Sequence, residues 1–294
     1  MYIHKKFPHW PVINIDKLSN SGNSETSIDL EGKSNYRFIY GDINDSQLIA
    51  TIIDRESIEI VINFANEYYS ERLVNHLELF LQSNVLGGVS LLNVLKNRPN
   101  IRFIQISSNE VYGNNQKKQI NEETVLKPES PYAASKASMD HFVQAYNKKY
   151  DLDFRIIRSS NSYGPHQQTD QWIPLLIKNA LKQKPVTLSE SFKEVENWLF
   201  IDDLCRGIEC VLLNGKAGAI YNICGESKNS SKKIIKKICR ILDYKETDIY
   251  YVPTSKVGVG TQDMDIKKIT DLGWYQQVTL DEGISQTIDW YKRR

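Results

Sequence analysis

The sequence has 294 residues, 40% of them hydrophobic and 25% charged, enough for one large globular domain or two modest ones with a real core. Thirty-seven basic against 36 acidic residues leave a net charge of +1, so no overall field draws the chain to nucleic acid or to a membrane surface, and a small-molecule partner is expected. Met1 to Trp10 lacks the apolar centre of a signal peptide and no run of about 18 apolar residues occurs, so a soluble cytoplasmic protein is expected.

In chain order, short apolar runs alternate with longer amphipathic stretches as far as position 223, the pattern of a parallel sheet covered by helices. Val12 to Ile15 and Arg37 to Tyr40 read as strands, followed by a helix over Gln47 to Arg55 and a strand over Ile60 to Phe64. Glu71 to Leu95 has helical spacing, Phe103 to Ile106 is a strand, Tyr132 to Tyr150 a helix and Phe154 to Ile157 a strand. Gln171 to Lys182 is a helix that kinks or begins near Pro174. Beyond Trp198 the pattern loosens into a strand at Ala219 to Ile223, a helix at Lys232 to Leu242, a strand at Ile249 to Val252 and a closing helix at Asp281 to Tyr291. Lys232, Lys233, Lys236 and Lys237 line one face of their helix, which reads as a solvated face. Cys205, Cys210, Cys224 and Cys239 have no zinc-type spacing and sit among apolar neighbours, so reduced structural thiols and no metal site are expected.

The strongest chemical signal is Ser107-Ser108-Asn109-Glu110-Val111-Tyr112-Gly113 at a strand end, followed by Ser130-Pro131-Tyr132-Ala133-Ala134-Ser135-Lys136 opening a helix. Tyr132 and Lys136 are four apart and share one helix face, which lets the ammonium sit near the phenol and favour its ionised form. A Tyr/Lys pair tuned in this way can take the proton of a sugar hydroxyl while hydride leaves the same carbon for a nicotinamide. Alone, Y-x-x-x-K arises by chance on surface helices; the polar strand end some twenty residues upstream is what favours the catalytic reading.

These segments, with Ile13 to Leu18, Gly41 to Ile43, Asn63 to Ala65, Arg158 to Pro165, Asn197 to Leu199 and Tyr221 to Ile223, resemble in order the motifs of the extended short-chain dehydrogenase/reductases. The nearest resemblance is to the dTDP-glucose 4,6-dehydratases among the nucleotide-sugar 4,6-dehydratases, and it runs from Val12 to the C-terminus. It implies an α/β Rossmann-like, doubly wound parallel sheet with a smaller C-terminal α/β substrate lobe. Residues 1–165 are the expected NAD-binding domain and 166–294 the substrate lobe, with residues near 196–223 returning to the main sheet.

By position, the resemblance places Asp16 on the adenosine ribose of NAD, Asp42 and Ile43 beside the adenine, and Phe64, Ala65 and Asn66 along the pyrophosphate. Lys17, Ser83 and Ser162, together with Tyr132 and Lys136, complete its cofactor contacts. It implies that Tyr132 and Lys136 oxidise sugar C4, Glu110 removes the C5 proton, Ser108 touches the C4 oxygen, and Asn161 and Asn222 face the substrate. Bland readings stand beside these: Asp16 and Asp42 are also ordinary turn carboxylates, and Asn161 also suits the turn before Gly164-Pro165. Aromatic packing explains Tyr68 and Tyr69 after Glu67 equally well, and His166 receives no role. The implied partners are a nucleotide-diphosphate sugar and a second copy of the chain, paired through helices near 71–95 and 132–150.

Three departures accompany the resemblance. The family carries a strand and G-x-x-G-x-x-G ahead of the segment matching Pro11 to Asp16, and the sequence as it stands begins inside the helix that follows them. The strands at Val12 and Ile60 flank that missing strand, whose absence leaves two rows of backbone groups short of roughly 1 kcal/mol per bond. A truncated or misannotated product is therefore expected, or sheet halves that close up differently. Asn109 replaces the aspartic acid that protonates the leaving hydroxyl, a proton no amide can supply. Glu196 stands where the family has arginine, and Gly258-Val259-Gly260-Thr261 lacks the family's arginine for the diphosphate.

The function expected is an NAD-dependent nucleotide-sugar 4,6-dehydratase, turning dTDP-glucose or a UDP-sugar into a 4-keto-6-deoxy sugar with impaired efficiency. The alternatives are a related sugar-nucleotide epimerase or decarboxylase, and an inactive homologue that serves as a binding or dimerisation partner.

Overall fold

In the computed structural model, residues 1–19, 30, 32–68, 77–114, 119–189, 195–226, 228–252 and 263–293 are described. The elements in order begin with α1 (Tyr2–Lys6), β1 (Val12–Asp16), β2 (Tyr36–Tyr40), α2 (Ser46–Arg55), β3 (Ile60–Asn63), α3 (Leu77–Leu95), β4 (Arg102–Ser108) and α4 (Pro131–Tyr150). Next come β5 (Phe154–Ser159), β6 (Ser162–Tyr163), α5 (Trp172–Leu181), β7 (Val186–Ser189), β8 (Val195–Glu196), β9 (Leu199–Phe200), α6 (Ile201–Asn214) and β10 (Ala219–Ile223). The chain closes with β11 (Asn229–Ser230), α7 (Ser231–Leu242), β12 (Ile249–Val252), α8 (Lys267–Thr270) and α9 (Leu280–Lys292). Residues 71–76, Tyr69 and the Gly258 to Thr261 segment lie outside the described residues.

Helix boundaries follow from local chemistry. Asp45 caps α2 by accepting from the Leu48 N–H at 2.9 Å, and Ile49, Ile52 and Ile53 turn inward. Pro131 opens α4, where its missing N–H costs nothing. Trp172 starts α5 two residues before Pro174, so the proline lies in the first turn and no kink is needed. Ser230 caps α7, which buries Ile234, Ile235, Ile238 and Cys239 and ends at Asp243 in the left-handed region, φ 47°. A capping box of Thr279 and Glu282 opens α9.

Helix α3 contains a π-helical segment, Leu81–Gly87, between two α-helical ends. Its wider turn carries Ser83 and Asn84 into the interior. By length and hydropathy α3 is the one described helix able to cross a membrane, yet 44% of that window is buried inside the protein.

The α/β class read from the sequence is the one observed, with a difference in pairing. Strands run β10-β5-β4-β3 in a four-stranded sheet, with β3 parallel to β4 from Ile60↔Arg102 to Asn63↔Gln105. The β10 strand is thereby part of the main sheet, where the loosened pattern after Trp198 returns to it. β1 pairs in parallel with β2 alone, from Val12↔Tyr36 to Asp16↔Tyr40, as a separate two-stranded sheet. The sheet halves have not closed on each other: the strands beginning at Val12 and Ile60 lie in different sheets.

The chain divides into two compact units, the first of Met1–Ser107, Pro131–Ile157 and Gly215–Ile220, the second of Ser108–Ser130, Arg158–Asn214 and Tyr221–Arg294. Strands β4, β5 and β10 each begin in the first unit and end in the second. The first unit has a core of Leu92, Leu95, Phe103, Met139, Val143 and Ile156. Leu176, Ile177, Phe200, Ile234, Ile284 and Ile288 centre the core of the second.

Candidate active site

In the first unit, β1 ends on Asp16, whose carboxylate accepts the Leu18 N–H at 2.7 Å, while its carbonyl accepts the Gly41 N–H at 3.1 Å. The Lys17 ammonium lies 3.3 Å from Asp42. Asp42 accepts from both the backbone and the side chain of Asn44 at 2.9 Å, a turn geometry. Burial works to raise the Asp42 carboxyl, but the Asn44 bonds and the Lys17 charge outweigh it and hold the group below the usual carboxylate range. At Asp16 the turn role and the strand-end position coexist, while Asp42 lies in the turn just after β2. Ile43 packs against Gly87, where an added Cβ would meet it at 2.7 Å.

At the end of β3, buried Asn63 donates to Gln105 at 2.9 Å, its register partner on β4, and accepts the Ala65 N–H at 3.1 Å. Phe64 is exposed and Asn66 half-buried. Glu67 is buried and accepts the Ser19 hydroxyl. Its backbone exchanges two bonds with Asn84, from Glu67 N–H to Oδ1 at 2.7 Å and from Nδ2 to the Glu67 carbonyl at 2.8 Å. Asn84 Nδ2 also donates to Ser135 Oγ at 3.0 Å, and that hydroxyl donates to the Tyr132 carbonyl at 2.7 Å. A chain of bonds thus runs from the strand end through the π segment to the first turn of α4. The sequence reading missed it, although two polar residues, Ser83-Asn84, inside an apolar helix were its visible sign.

The rings of Tyr132 and Phe80 meet in a T-shaped arrangement, centroids 6.3 Å apart. One turn on, Lys136 is 4% exposed and its Nζ donates to the Ile106 carbonyl at 2.7 Å. Burial pulls the Lys136 ammonium from 10.5 down to about 8, with the charge of Asp140 acting in the opposite sense. Lys136 is therefore desolvated and fixed by the end of β4.

In the second unit, Ser108 caps the short 3-10 helix Asn109–Tyr112, its Oγ accepting the Glu110 N–H at 3.2 Å. Asn109 and Glu110 are half-buried, and the Ser108 hydroxyl lies 3.5 Å from Asn109 Oδ1. The turn closes at Gly113 with φ 64°, where a Cβ would lie 1.9 Å from the Lys127 carbonyl oxygen, so only glycine fits. Tyr112 donates to Asn222 Oδ1 at 2.7 Å and accepts from the buried Arg158 guanidinium at 2.9 Å. Burial pushes the Tyr112 phenol up to about 12 even against the Arg158 charge.

Asn222, expected at the substrate, is 0% exposed. Its Oδ1 takes the Tyr112 hydroxyl, and its Nδ2 donates to the Ile120 and Asp265 carbonyls at 3.4 and 3.2 Å. These bonds tie Asn222 to the segments around Tyr112, Ile120 and Asp265. Asn161 is exposed, but its Nδ2 donates to the Glu196 carboxylate at 2.7 Å. Ser162 opens β6 against Leu199, and its carbonyl accepts from Gln167 at 3.2 Å.

Against known proteins, the GDP-mannose 4,6 dehydratase family matches residues 2–287. A dTDP-glucose 4,6-dehydratase of Xanthomonas campestris pv. campestris is 34% identical over 300 residues, covering 95% of this chain and 86% of that relative. The crystal structure of dTDP-glucose 4,6-dehydratase from Bacillus anthracis in complex with NAD superposes with a TM-score of 0.91 at 32% identity, over 99% of this chain and 91% of that one. DesIV, the dTDP-glucose 4,6-dehydratase of Streptomyces venezuelae with NAD and TYD bound, gives 0.92 at 32% identity, over 99% and 90%. With its α/β fold, its Tyr132/Lys136 helix and its Ser108–Glu110 strand end, the chain belongs to the nucleotide-sugar 4,6-dehydratase family of the extended short-chain dehydrogenase/reductases.

Proposed function

We propose that the chain acts on a nucleotide-diphosphate sugar as an NAD-dependent 4,6-dehydratase, with dTDP-glucose as the first substrate to test. The observation that carries this reading is the Tyr132/Lys136 pair on α4, with Lys136 buried, lowered towards neutrality and fixed to the Ile106 carbonyl. The residues present fit the cofactor at both ends: a carboxylate closes a parallel strand at Asp16, and a desolvated ammonium stands at Lys136. Asp16, Lys17, Asp42 and Ile43 would hold the adenosine end, Phe64, Ala65 and Asn66 the pyrophosphate, and Ser83, Ser162, Tyr132 and Lys136 the nicotinamide end. NAD, when bound, supplies the acceptor for the C4 hydride and returns that hydride later to C6.

In this reading Tyr132 removes the proton of the C4 hydroxyl as the C4–H bond is lost, and the Lys136 ammonium stabilises the phenolate. The new 4-ketone acidifies C5, and Glu110 takes the C5 proton. Water then leaves across C5 and C6. Asn109 can hold the departing hydroxyl by a hydrogen bond but has no proton to give, so Glu110 must return its own or a water must serve. We assign NAD to residues 1–165 and the sugar nucleotide to residues 166–294 as functional lobes, with Ser108 and Asn161 reaching the sugar side.

The test follows loss of water from dTDP-glucose by mass spectrometry in the presence of NAD. Product from the native chain, a fall of about 10² to 10⁴-fold in Tyr132→Phe, and a gain in Asn109→Asp are expected. Turnover that survives Tyr132→Phe would remove the reading. A second reading, an inactive homologue that binds without turnover, is favoured by the carboxylate of Glu196 facing Asn161. Binding of NAD with no product from either the native chain or Asn109→Asp would select it.

We further propose a homodimer built on α3 and α4. Its support is the apolar surface these helices expose at Leu77, Leu81, Leu86 and Phe142. A cytoplasmic location is proposed from four free cysteines, which suit a reducing compartment; recovery with a periplasmic marker would contradict it.

A further inference from the structure

We propose that Asp140 is a positioning residue for Lys136, a buried counter-charge one helical turn away that keeps the lysine in its ammonium form. Both lie on α4, Lys136 at 4% exposure and Asp140 at 0%. Residues four apart share a helix face, and side chains on a helix lean towards its N-terminus, which sets Asp140 on the same face as Lys136, on the turn that follows it. The bond from Nζ to the Ile106 carbonyl satisfies one donor but brings no negative charge. An ammonium removed from water needs such a charge, or it loses its proton.

Among the described residues the surroundings supply few other candidates. Helix α3 packs along α4, and its one charged residue is Glu78, exposed in the first turn. The π segment and the rest of α3 bring only neutral side chains, with Gly88 pressed against Met139. Strand β4 carries Arg102 at the end remote from Ile106, 3.7 Å from Asp153. Glu67 is joined to this face through Asn84 and Ser135, and its carboxylate takes the Ser19 hydroxyl. On α4 itself the remaining titratable groups are Tyr132, His141, Tyr146, Lys148, Lys149 and Tyr150. Asp140 is the carboxylate in register with Lys136. Burial draws the lysine down, Asp140 is the charge that opposes this, and the two together leave it at about 8.

The inference rests on the proposed reaction for its use, since an ammonium at Lys136 is what favours ionised Tyr132, but its test does not need turnover. The full chain carrying ¹³C/¹⁵N-labelled lysine is titrated by NMR without ligand, with Lys136→Arg identifying the resonance. The native midpoint is expected near 8, and in Asp140→Asn, checked for folding by circular dichroism, about 1 to 3 units lower. Asp140→Glu, which keeps the charge, should restore the native midpoint and replaces the first variant if that one does not fold. An unchanged midpoint in folded Asp140→Asn, or a full loss in Asp140→Glu, overturns the inference. A shift as expected in a chain that yields no sugar product would leave the inference standing and remove only the proposed reaction.

Discussion

Glu196 sits at the carboxylate end of a hydrogen bond whose donor, Asn161, is a candidate for contact with the substrate diphosphate. A carboxylate there repels a diphosphate and occupies the amide that would greet it. Glu196→Arg is expected to free Asn161 and place a cation beside it, strengthening binding of dTDP by about tenfold or more in isothermal titration. Equal affinity in the two proteins would mean that the diphosphate lies elsewhere. Asn109 and Glu196 were legible as departures from the sequence alone, since identity at a motif position needs no coordinates. The fate of Asn222 was not: only the packed structure shows that Tyr112, Ile120 and Asp265 use every polar atom of its side chain.

Helices α3 and α4 expose Leu77, Leu81 and Leu86 on one and Phe142 on the other, although both also contribute to the core of the first unit. If these faces meet a second copy, placing charge there splits the pair. Leu86→Asp with Phe142→Asp should sediment as a monomer where the native chain sediments as a dimer; a native monomer removes the proposal. The helices themselves were readable from spacing, and α4 begins one residue before its expected start because Pro131 is favoured at a first position. The π segment of α3 was hidden, because leucines and valines at mixed spacing satisfy a wider turn as well as an α-helix, so apolar periodicity does not register the extra residue. The separate β1–β2 sheet was also illegible as such, since a strand's composition reports that it pairs but not with which neighbour.

At the scale of the molecule, burial of thiols and phenols gives stability a pH dependence. Burial raises Cys205 and Cys239 to about 11, Cys224 to about 12, and Tyr112 and Tyr291 to about 12, from unfolded values of 9.0 and 10.0. Each contributes stability that is whole below its unfolded value and is lost as pH rises through its folded one, at about 1.4 kcal/mol per pH unit while only the native form stays protonated. Lys136 runs the other way: lowered to about 8 in the native state, it adds stability between there and 10.5. Three thiols outweigh one lysine, so the urea midpoint should fall from about pH 9 upward; a flat profile to about pH 11 would show that these groups are open to solvent. The pairing of β1 with β2 alone has a consequence of another kind. Two strands joined by one ladder, with no described neighbour beyond either, form a ribbon with open rims, and rims of this sort are where amide protons trade fastest with water and where crowded chains first stick together.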